Sequence, residues 1–290
     1  MKPFTSHSPL SQLLWLAFIF LMLLIVASGI TIVLPFVGVD VTDVTVQLVL
    51  QGVTQLLTFL LAPLLFVFLF KEERCRFFQL HLDGNSWKLG GVALVMMLLL
   101  IPLNDWIAVW NMGWDLGGGA FESACRKLTE LSEELMGEML SQRGVGALLL
   151  NLLVIALIPA VSEEIFFRGT IQQILRRWFN GNAHYAVLLT AVIFSLAHGD
   201  VFGFVPRVVL GIVLGYLYFY SGSLLVNICA HFANNALIVV LYYAFNEGWI
   251  QMDVAEPIRA PWLLTVGCTV GVALLFYLYF WKKNREVVSD

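Results

Sequence analysis

"VGALLLNLLVIALIPAVSEEIFFRGT", residues 145–170, is the stretch that decides the fold of this chain. Its apolar run from Val145 to Phe166 is long enough to cross a bilayer, which takes a helix of about 20 residues. Two adjacent glutamates, Glu163 and Glu164, and an arginine, Arg168, stand at the end of that run. Ionisable groups within a membrane helix are costly, so these three residues are candidates for function.

The rest of the chain has the same apolar character. Its 290 residues are 60% hydrophobic and 12% charged, a composition that excludes an ordinary soluble globular protein. We predict an all-α integral membrane protein, a bundle of about eight transmembrane helices with one amphipathic surface helix, because backbone groups in lipid must pair within each helix. The predicted spans are Leu13–Phe36, Val46–Phe70, Leu89–Trp110, Val145–Phe166, Ala183–His198, Val205–Tyr220, Leu224–Phe245 and Pro261–Trp281.

One polar insertion, residues 117–144, interrupts this pattern. Its leucines recur at helical spacing with glutamates between them, which is typical of an amphipathic helix lying on the surface or capping the bundle. Residues 1–30 have too long an apolar core for a secretory signal, so they are predicted to be the first membrane helix. We divide the chain into three parts: N-terminal membrane helices with the amphipathic insertion (1–144), a motif-bearing core (145–245), and a last membrane helix with a cytoplasmic tail (246–290).

The distribution of lysine and arginine predicts the orientation in the membrane. With the N-terminus inside, ten of these cations fall in inner segments and five in outer ones, so both termini are expected to be cytoplasmic. The net charge of −4 argues against nucleic acid as a partner. The four cysteines show no CxxC spacing, so neither a disulfide framework nor a structural zinc site is predicted.

Three polar clusters interrupt the apolar segments, and their spacing suggests different roles. Glu164 and Arg168 are four residues apart, with the acid first, which favours an intrahelical ion pair. Glu163 points about 100° away and has no such partner, so its carboxylate is expected to stay free to react. The other clusters are His198, in "FSLAHGD", and His231 with Asn235, which share one helix face in "NICAHFANNA".

The turns between helices predict that these clusters lie at one depth. Glu163 and His198 are each about 26 Å along their helices from a turn near residue 181, so an antiparallel hairpin brings them level. If about 8–10 residues of each arm protrude from the bilayer, both lie about 12–15 Å inside it. His231, nine residues beyond the next turn at 221–223, falls at about 13 Å.

A carboxylate beside an imidazole in a dry pocket is a suitable general base for water. A second histidine with an amide can hydrogen-bond the oxyanion of a tetrahedral intermediate. Together these groups outline peptide-bond hydrolysis without a covalent intermediate. Two histidines and a carboxylate are also a common metal ligand set, although the HExxH motif of zinc proteases is absent.

The motifs EExxxR (Glu163, Glu164, Arg168), FxxxH (Phe194, His198) and HxxxN (His231, Asn235) follow one another on successive membrane helices. In this order they resemble the CAAX prenyl protease and bacteriocin-processing family of intramembrane proteases, over roughly residues 145–245. The resemblance implies that Glu163 and His198 activate the attacking water and that Glu164 and Arg168 support them. It further implies that His231 and Asn235 stabilise the oxyanion and that Phe194 packs against the site.

The resemblance also bears on cofactors and partners. We expect no cofactor; the alternative is a divalent metal such as zinc, whose ligands would be Glu163, His198 and His231. The expected partners are a protein or peptide substrate and membrane lipid. The substrate would be a prenylated C-terminal CAAX protein or, in a bacterium, a leader peptide or another membrane-associated peptide.

Other interpretations of the same residues stay open. Glu164 and Arg168 can form an ordinary ion pair at a helix end, His198 can be an interfacial histidine, and His231 with Asn235 can join helices. A proton-coupled membrane transporter would also contain buried glutamate and histidine, but strung across the whole membrane. A catalytically idle immunity or scaffold protein on the same fold would keep the motifs without a substrate.

Overall fold

The computed structural model of the chain describes residues 8–69, 78–80, 83–251 and 260–282. Phe70, the predicted end of the second span, lies outside these ranges. Several cations that entered the orientation argument and one cysteine also lie outside them: Lys2, Lys71, Arg74, Arg76, Arg259, Lys283, Arg285 and Cys75.

The described residues fold into nine helices and contain no strand. Seven of these helices are long and apolar enough to cross a membrane, and an eighth, α6, is apolar but shorter. The predicted all-α membrane bundle is therefore confirmed, and the chain is a multi-pass integral membrane protein. In chain order the helices are α1 (Pro9–Val37), α2 (Val44–Leu69), α3 (Gly84–Met112), α4 (Ala120–Leu140), α5 (Val145–Trp178), α6 (Ala183–Leu196), α7 (Phe204–Ser221), α8 (Leu224–Asn246) and α9 (Trp262–Trp281).

Short polar side chains set where several helices begin. Asp43 accepts hydrogen bonds from two backbone N–H groups at the start of α2, and Asn182 does the same for α6. Such caps satisfy donors that have no partner inside the helix. Because α6 ends at Leu196, two residues earlier than predicted, His198 lies in the turn that follows the helix.

Helix α4 is the amphipathic insertion expected from the sequence. Near its C-terminal end, Met139 and Leu140 are buried against Val154 of α5 and Val239 of α8. By contrast, Leu128, Leu131 and Leu135 of the same helix are exposed. The helix thus packs against the bundle near its C-terminal end and leaves part of its apolar face exposed.

Helix α5 runs through the middle of the bundle and is buried continuously from Ser162 to Gln172. The α-helical segment Ile158–Phe166 lies between two stretches of wider π-helix, Leu152–Leu157 and Phe167–Gln172. Pro159 has no N–H to donate to the carbonyl of Ile155, its partner in a regular α-helix. The side chain of Asn235 in α8 donates to that carbonyl instead, at 3.4 Å.

Two glycines of α7 allow α6 to pack closely. A Cβ atom at Gly211 would lie 2.9 Å from the Cα atom of Ala191, and one at Gly215 would lie 2.8 Å from a methyl group of Val187. The α7 carbonyls at these glycines also accept hydrogen bonds from α5, because Arg168 donates to Gly211 and Gln172 donates to Gly215. Small residues therefore bring α6 and α7 together beside α5.

Candidate active site

The innermost part of the candidate site is the ion pair between Glu164 and Arg168 on α5. A guanidinium N–H of Arg168 donates to Glu164 Oε1 at 2.7 Å, and neither side chain is accessible to solvent. A second N–H donates to the carbonyl of Gly211 at 3.3 Å, and the guanidinium carbon lies 4.7 Å from the ring centre of Phe194. The predicted intrahelical pair is therefore present, enclosed by protein rather than at an interface.

Helix α8 adds two further donors to the Glu164 carboxylate. Nδ1 of His231 lies 2.8 Å from Oε1, and the amide of Asn227 donates to Oε2 at 3.1 Å. The same Asn227 amide donates to the carbonyl of Leu214 at 2.6 Å, so it joins α8 to α7. Its contact with Glu164 was missed, because the sequence does not show which face of α8 meets α5.

Glu163 has a partner that the sequence analysis did not find. Nε2 of Gln55, on α2, donates to Glu163 Oε1 at 2.6 Å. The expectation of an unpartnered carboxylate was therefore wrong: one oxygen is held from a helix more than a hundred residues away in sequence. The available signal was the pair Gln51 and Gln55, four residues apart in an otherwise apolar span.

The other oxygen of Glu163 faces His231. Oε2 lies 3.9 Å from His231 Nε2, too far for a hydrogen bond. Because a carboxylate can only accept, the contact with Glu164 requires that Nδ1 of His231 carries a proton. The imidazole thus lies between two carboxylates: it contacts Glu164 directly, and Glu163 lies slightly beyond hydrogen-bonding distance.

His198 has a different environment. Its Nδ1 lies 2.8 Å from the carbonyl oxygen of Phe194, which can only accept, so the N–H is on this nitrogen. In the neutral ring Nε2 then keeps its lone pair. The imidazole stacks edge-on against the Phe194 ring, with centroids 4.9 Å apart, and its side chain is exposed. His198 makes no direct contact with Glu163 in the described part of the chain, but it lines the same cavity.

A cavity of about 570 Å³ brings the candidate residues together. Glu163, His198, His231 and Asn235 all line it, whereas Glu164 and Arg168 lie behind its wall. Thr129, on α4, also lines it, so the amphipathic helix forms part of the cavity wall. Further lining side chains carry polar groups on α2, α3, α4 and α8: Gln51, Gln55, Asn104, Glu133 and Asn234.

The half-buried Asn235 combines a contact between helices with an N–H group that has no partner among the described residues. One N–H of its amide donates to the carbonyl of Ile155, and its oxygen accepts from Asn234 at 3.1 Å. An amide nitrogen carries two hydrogens, so a second N–H remains for a ligand in the cavity. Phe194 is 1% exposed and touches both histidines and Arg168, which makes it a packing residue.

The candidate metal ligands Glu163, His198 and His231 were tested against this geometry. Among the described residues, no three histidine, cysteine, aspartate or glutamate side chains converge as a metal site requires. His231 directs one nitrogen to Glu164 and holds the other 3.9 Å from Glu163. In this arrangement the three side chains do not fit a shared metal ion.

Comparison with known proteins adds an independent finding. Residues 145–237 match the model of the family described as type II CAAX prenyl endopeptidase Rce1-like. Neither the curated proteins nor the solved structures gave a match to the chain. The matched region contains the EExxxR, FxxxH and HxxxN motifs. Over residues 145–237, the chain is therefore similar to the Rce1-like family of type II CAAX prenyl endopeptidases, the family that its motifs resemble.

Proposed function

We propose that the protein is an intramembrane endopeptidase that hydrolyses a peptide bond with a water molecule activated by Glu163. The observation that carries this proposal is the placement of Glu163 between Gln55 and His231 at the wall of a cavity that His198 and Asn235 also line. A carboxylate, two imidazoles and an amide donor thus face one space large enough for a peptide segment.

Glu163 is the proposed general base. Gln55 holds Oε1 of Glu163 by a hydrogen bond, whereas Oε2 lies near His231 without one. His198 is the second acceptor for the water, because its Nδ1 is committed to a carbonyl and its Nε2 lone pair remains available. A water that donates one hydrogen to Glu163 and one to His198 presents its own lone pair to a substrate carbonyl.

His231 is suited to the complementary role. When its ring carries a second proton, Nε2 becomes a donor, and the carboxylates of Glu164 and Glu163 lie 2.8 and 3.9 Å from its two nitrogens. Nε2–H of His231 and the second N–H of Asn235 then stabilise the oxyanion that forms as hydroxide adds to the carbonyl carbon. Collapse of this intermediate breaks the C–N bond, and Glu163 returns its proton to the leaving amine.

The fully buried groups support this chemistry from behind. Arg168 neutralises Glu164, and Glu164 in turn fixes the tautomer and angle of His231. This carboxylate–histidine contact resembles the way an acid orients the imidazole of a hydrolase. Glu164 and Arg168 are thus proposed as positioning residues rather than groups that touch the substrate.

The proposed partners follow from the position of the cavity in a membrane bundle. The substrate is a protein or peptide that reaches the cavity from the membrane or its surface, and lipid surrounds the protein. Nucleic acid is not a proposed partner. We place both termini on the cytoplasmic side, in accordance with the distribution of lysine and arginine.

Peptide cleavage by detergent-purified protein tests the proposal. Mass spectrometry would compare wild type and Glu163→Gln on prenylated and unprenylated peptides, each with and without a metal chelator. We expect Glu163→Gln to lose at least about 100-fold in rate, since a general base contributes about 10²–10⁴-fold. Glu133→Gln is the matched control, because it removes an acid that lines the same cavity on α4.

Each outcome leads to a different conclusion. The proposed mechanism is supported if the chelator does not affect cleavage and only Glu163→Gln abolishes it. Loss of cleavage on chelation moves the chemistry to a metal. Equal rates for wild type and Glu163→Gln contradict the role of Glu163. If the wild-type protein cleaves none of the peptides, the result favours the transporter and scaffold alternatives.

A further inference from the structure

Helix α4 has an exposed apolar flank beside the face that packs on the bundle. At 100° per residue its members fall within about 80° of the helix circumference. They are 44–68% exposed: Phe121, Leu128, Leu131 and Leu135. None of the four is among the described residues that line the cavity, whereas Thr129 and Met136 on the adjacent face do line it. One side of α4 thus belongs to the cavity wall, and the next side has no protein cover among the described residues.

The connections of α4 place the helix at one surface of the membrane. It joins α3, which ends at Met112, to α5, which begins at Val145. Seven charged residues within α4 exclude a membrane crossing of its own, so the adjoining ends of α3 and α5 lie at the same surface. With 21 residues the helix is about 31 Å long, and only residues 113–119 and 141–144 connect it to its neighbours. The helix is therefore tied to that surface at both ends.

Hydrogen bonds hold α4 to the ends of several membrane helices at this surface. Near its start, Arg126 donates to the carbonyl of Trp114, just beyond α3, at 3.0 Å. In its first half, Thr129 donates to Asp200, in the turn between α6 and α7, at 2.7 Å. The carbonyl of the last α4 residue accepts from Asn246, at the end of α8, also at 2.7 Å. These contacts fix the helix at the level of the membrane-helix ends along most of its length.

Tryptophans mark the membrane–water interface at the same level. Trp110 in the last turn of α3, Trp249 just after α8 and Trp262 at the start of α9 are 60–71% exposed. Tryptophan is enriched where membrane helices meet the lipid headgroups, because its ring is apolar and its N–H is polar. An amphipathic helix at this level buries its apolar side about 5–10 Å into the boundary between headgroups and acyl chains. The flank of α4 has the composition and the position for this contact.

The charges beside the flank indicate which lipids it contacts. Outside the Glu122–Arg126 pair, the exposed charged positions of α4 are one lysine and four glutamates: Lys127, Glu130, Glu133, Glu134 and Glu138. Glu134 and Glu138 each follow a flank leucine by three residues, which places them next to the flank. An acidic helix surface repels the anionic headgroups that basic interfacial helices attract. Zwitterionic headgroups, which carry an ammonium group, are compatible with it.

We propose that the exposed flank of α4 lies in the headgroup region of a zwitterionic lipid surface. The inference concerns a lipid contact and does not depend on the proposed peptidase function. Because Thr129 and Met136 of the same helix line the cavity, this lipid contact supports one part of the cavity wall. The alternative occupants of the flank are water and a second copy of the chain.

Spin-label accessibility of the full chain in phosphatidylcholine vesicles tests the proposal. After the four native cysteines are replaced by alanine, a nitroxide is attached at Leu128→Cys and, as the matched control, at Glu130→Cys. These positions are two residues apart in sequence but about 160° apart around the helix. Collision with oxygen reports on lipid, and collision with the neutral complex nickel(II) ethylenediaminediacetate reports on water. We expect the oxygen-to-nickel ratio to be at least about threefold higher at Leu128 than at Glu130.

A change of lipid tests the headgroup assignment. When phosphatidylglycerol replaces part of the phosphatidylcholine, the ratio at Leu128 should fall by about twofold, because the glutamates repel the anionic surface. Adding Glu134→Gln and Glu138→Gln should remove most of that difference, and thermal melts would verify that each variant is folded. Equal ratios in the two lipids, or a higher ratio with phosphatidylglycerol, overturn the assignment to zwitterionic lipid.

The other outcomes overturn the lipid contact itself. Frequent collision with the nickel complex at both positions places the flank in water. Infrequent collision with both reagents at Leu128 shows that protein covers the flank, and crosslinking would then test for a second copy of the chain. None of these measurements uses peptide cleavage. Failure of the proposed peptidase function would therefore leave this inference standing, and failure of the lipid contact would leave the peptidase proposal standing.

Discussion

The hydrogen bond from Gln55 to Glu163 offers the sharpest test of how this site is organised. The replacement Gln55→Leu keeps an unbranched start to the side chain and a similar size but removes the donor that contacts Glu163 Oε1 at 2.6 Å. The acid itself remains, so any loss of activity would report on its placement. Gln55 lies on α2, outside the region that matches the protease family.

The expected magnitude follows from the kind of bond. A hydrogen bond to a charged group contributes about 1.5–3 kcal/mol, and each 1.4 kcal/mol corresponds to about tenfold in rate. Gln55 holds Oε1, whereas the oxygen that faces His231 is Oε2. The substitution therefore frees the carboxylate to turn without removing the reacting oxygen. We expect a loss of about tenfold in kcat/KM, near the lower limit of the range.

The assay is peptide cleavage by detergent-purified variants, with the melting temperature measured on the same samples. Gln51→Leu is the matched control, because Gln51 also lines the cavity, one turn earlier on α2, without a bond to Glu163. It should cleave at close to the wild-type rate. The reasoning is refuted if Gln55→Leu is as active as wild type, or if both leucine variants lose activity equally.

Two further predictions concern stability. Glu164→Gln leaves the fully buried cation of Arg168 without its counter-charge, so it should destabilise the protein by about 3–5 kcal/mol and lower its melting temperature. Glu163→Gln should melt near the wild-type temperature. Similar melting temperatures for the two variants would contradict the assigned roles. Gly211→Ala should lower the free energy of unfolding by about 1–3 kcal/mol, because its Cβ would meet the backbone of α6. Gly267→Ala, with open space around it, should be neutral or stabilising by up to about 1 kcal/mol. Equal shifts in melting temperature would show that the α6–α7 contact is not tight.

The membrane helices could be predicted from the sequence because each is marked by its own run of apolar residues. The length of an apolar run is imposed by the bilayer, so most predicted spans agree with the observed helices within about five residues. The exception is α5, which continues to Trp178, well beyond the predicted end at Phe166. Helix rise and turn position also predicted that Glu163, His198 and His231 lie close together, whereas their depth in the bilayer stays a prediction. All three side chains line one cavity.

Lateral contacts could not be predicted in the same way. Helical periodicity shows which residues share a face, but it does not show which neighbouring helix that face meets. The bonds of Glu164 to His231 and Asn227 and of Glu163 to Gln55 all depend on that choice. Periodicity did favour the Glu164–Arg168 pair, because both residues belong to one helix.

The contacts also change how the chain should be divided. A boundary at residue 144 separates the motif-bearing core from the N-terminal helices, but the site crosses it. Within residues 145–237 the chain holds Glu164, Arg168 and His231 as one buried network. The orientation of Glu163 depends on α2, and part of the cavity wall, with the Thr129 contact to Asp200, comes from α4. The family region alone therefore provides the reactive groups, whereas the preceding helices position the proposed base and shape the space that a substrate must enter.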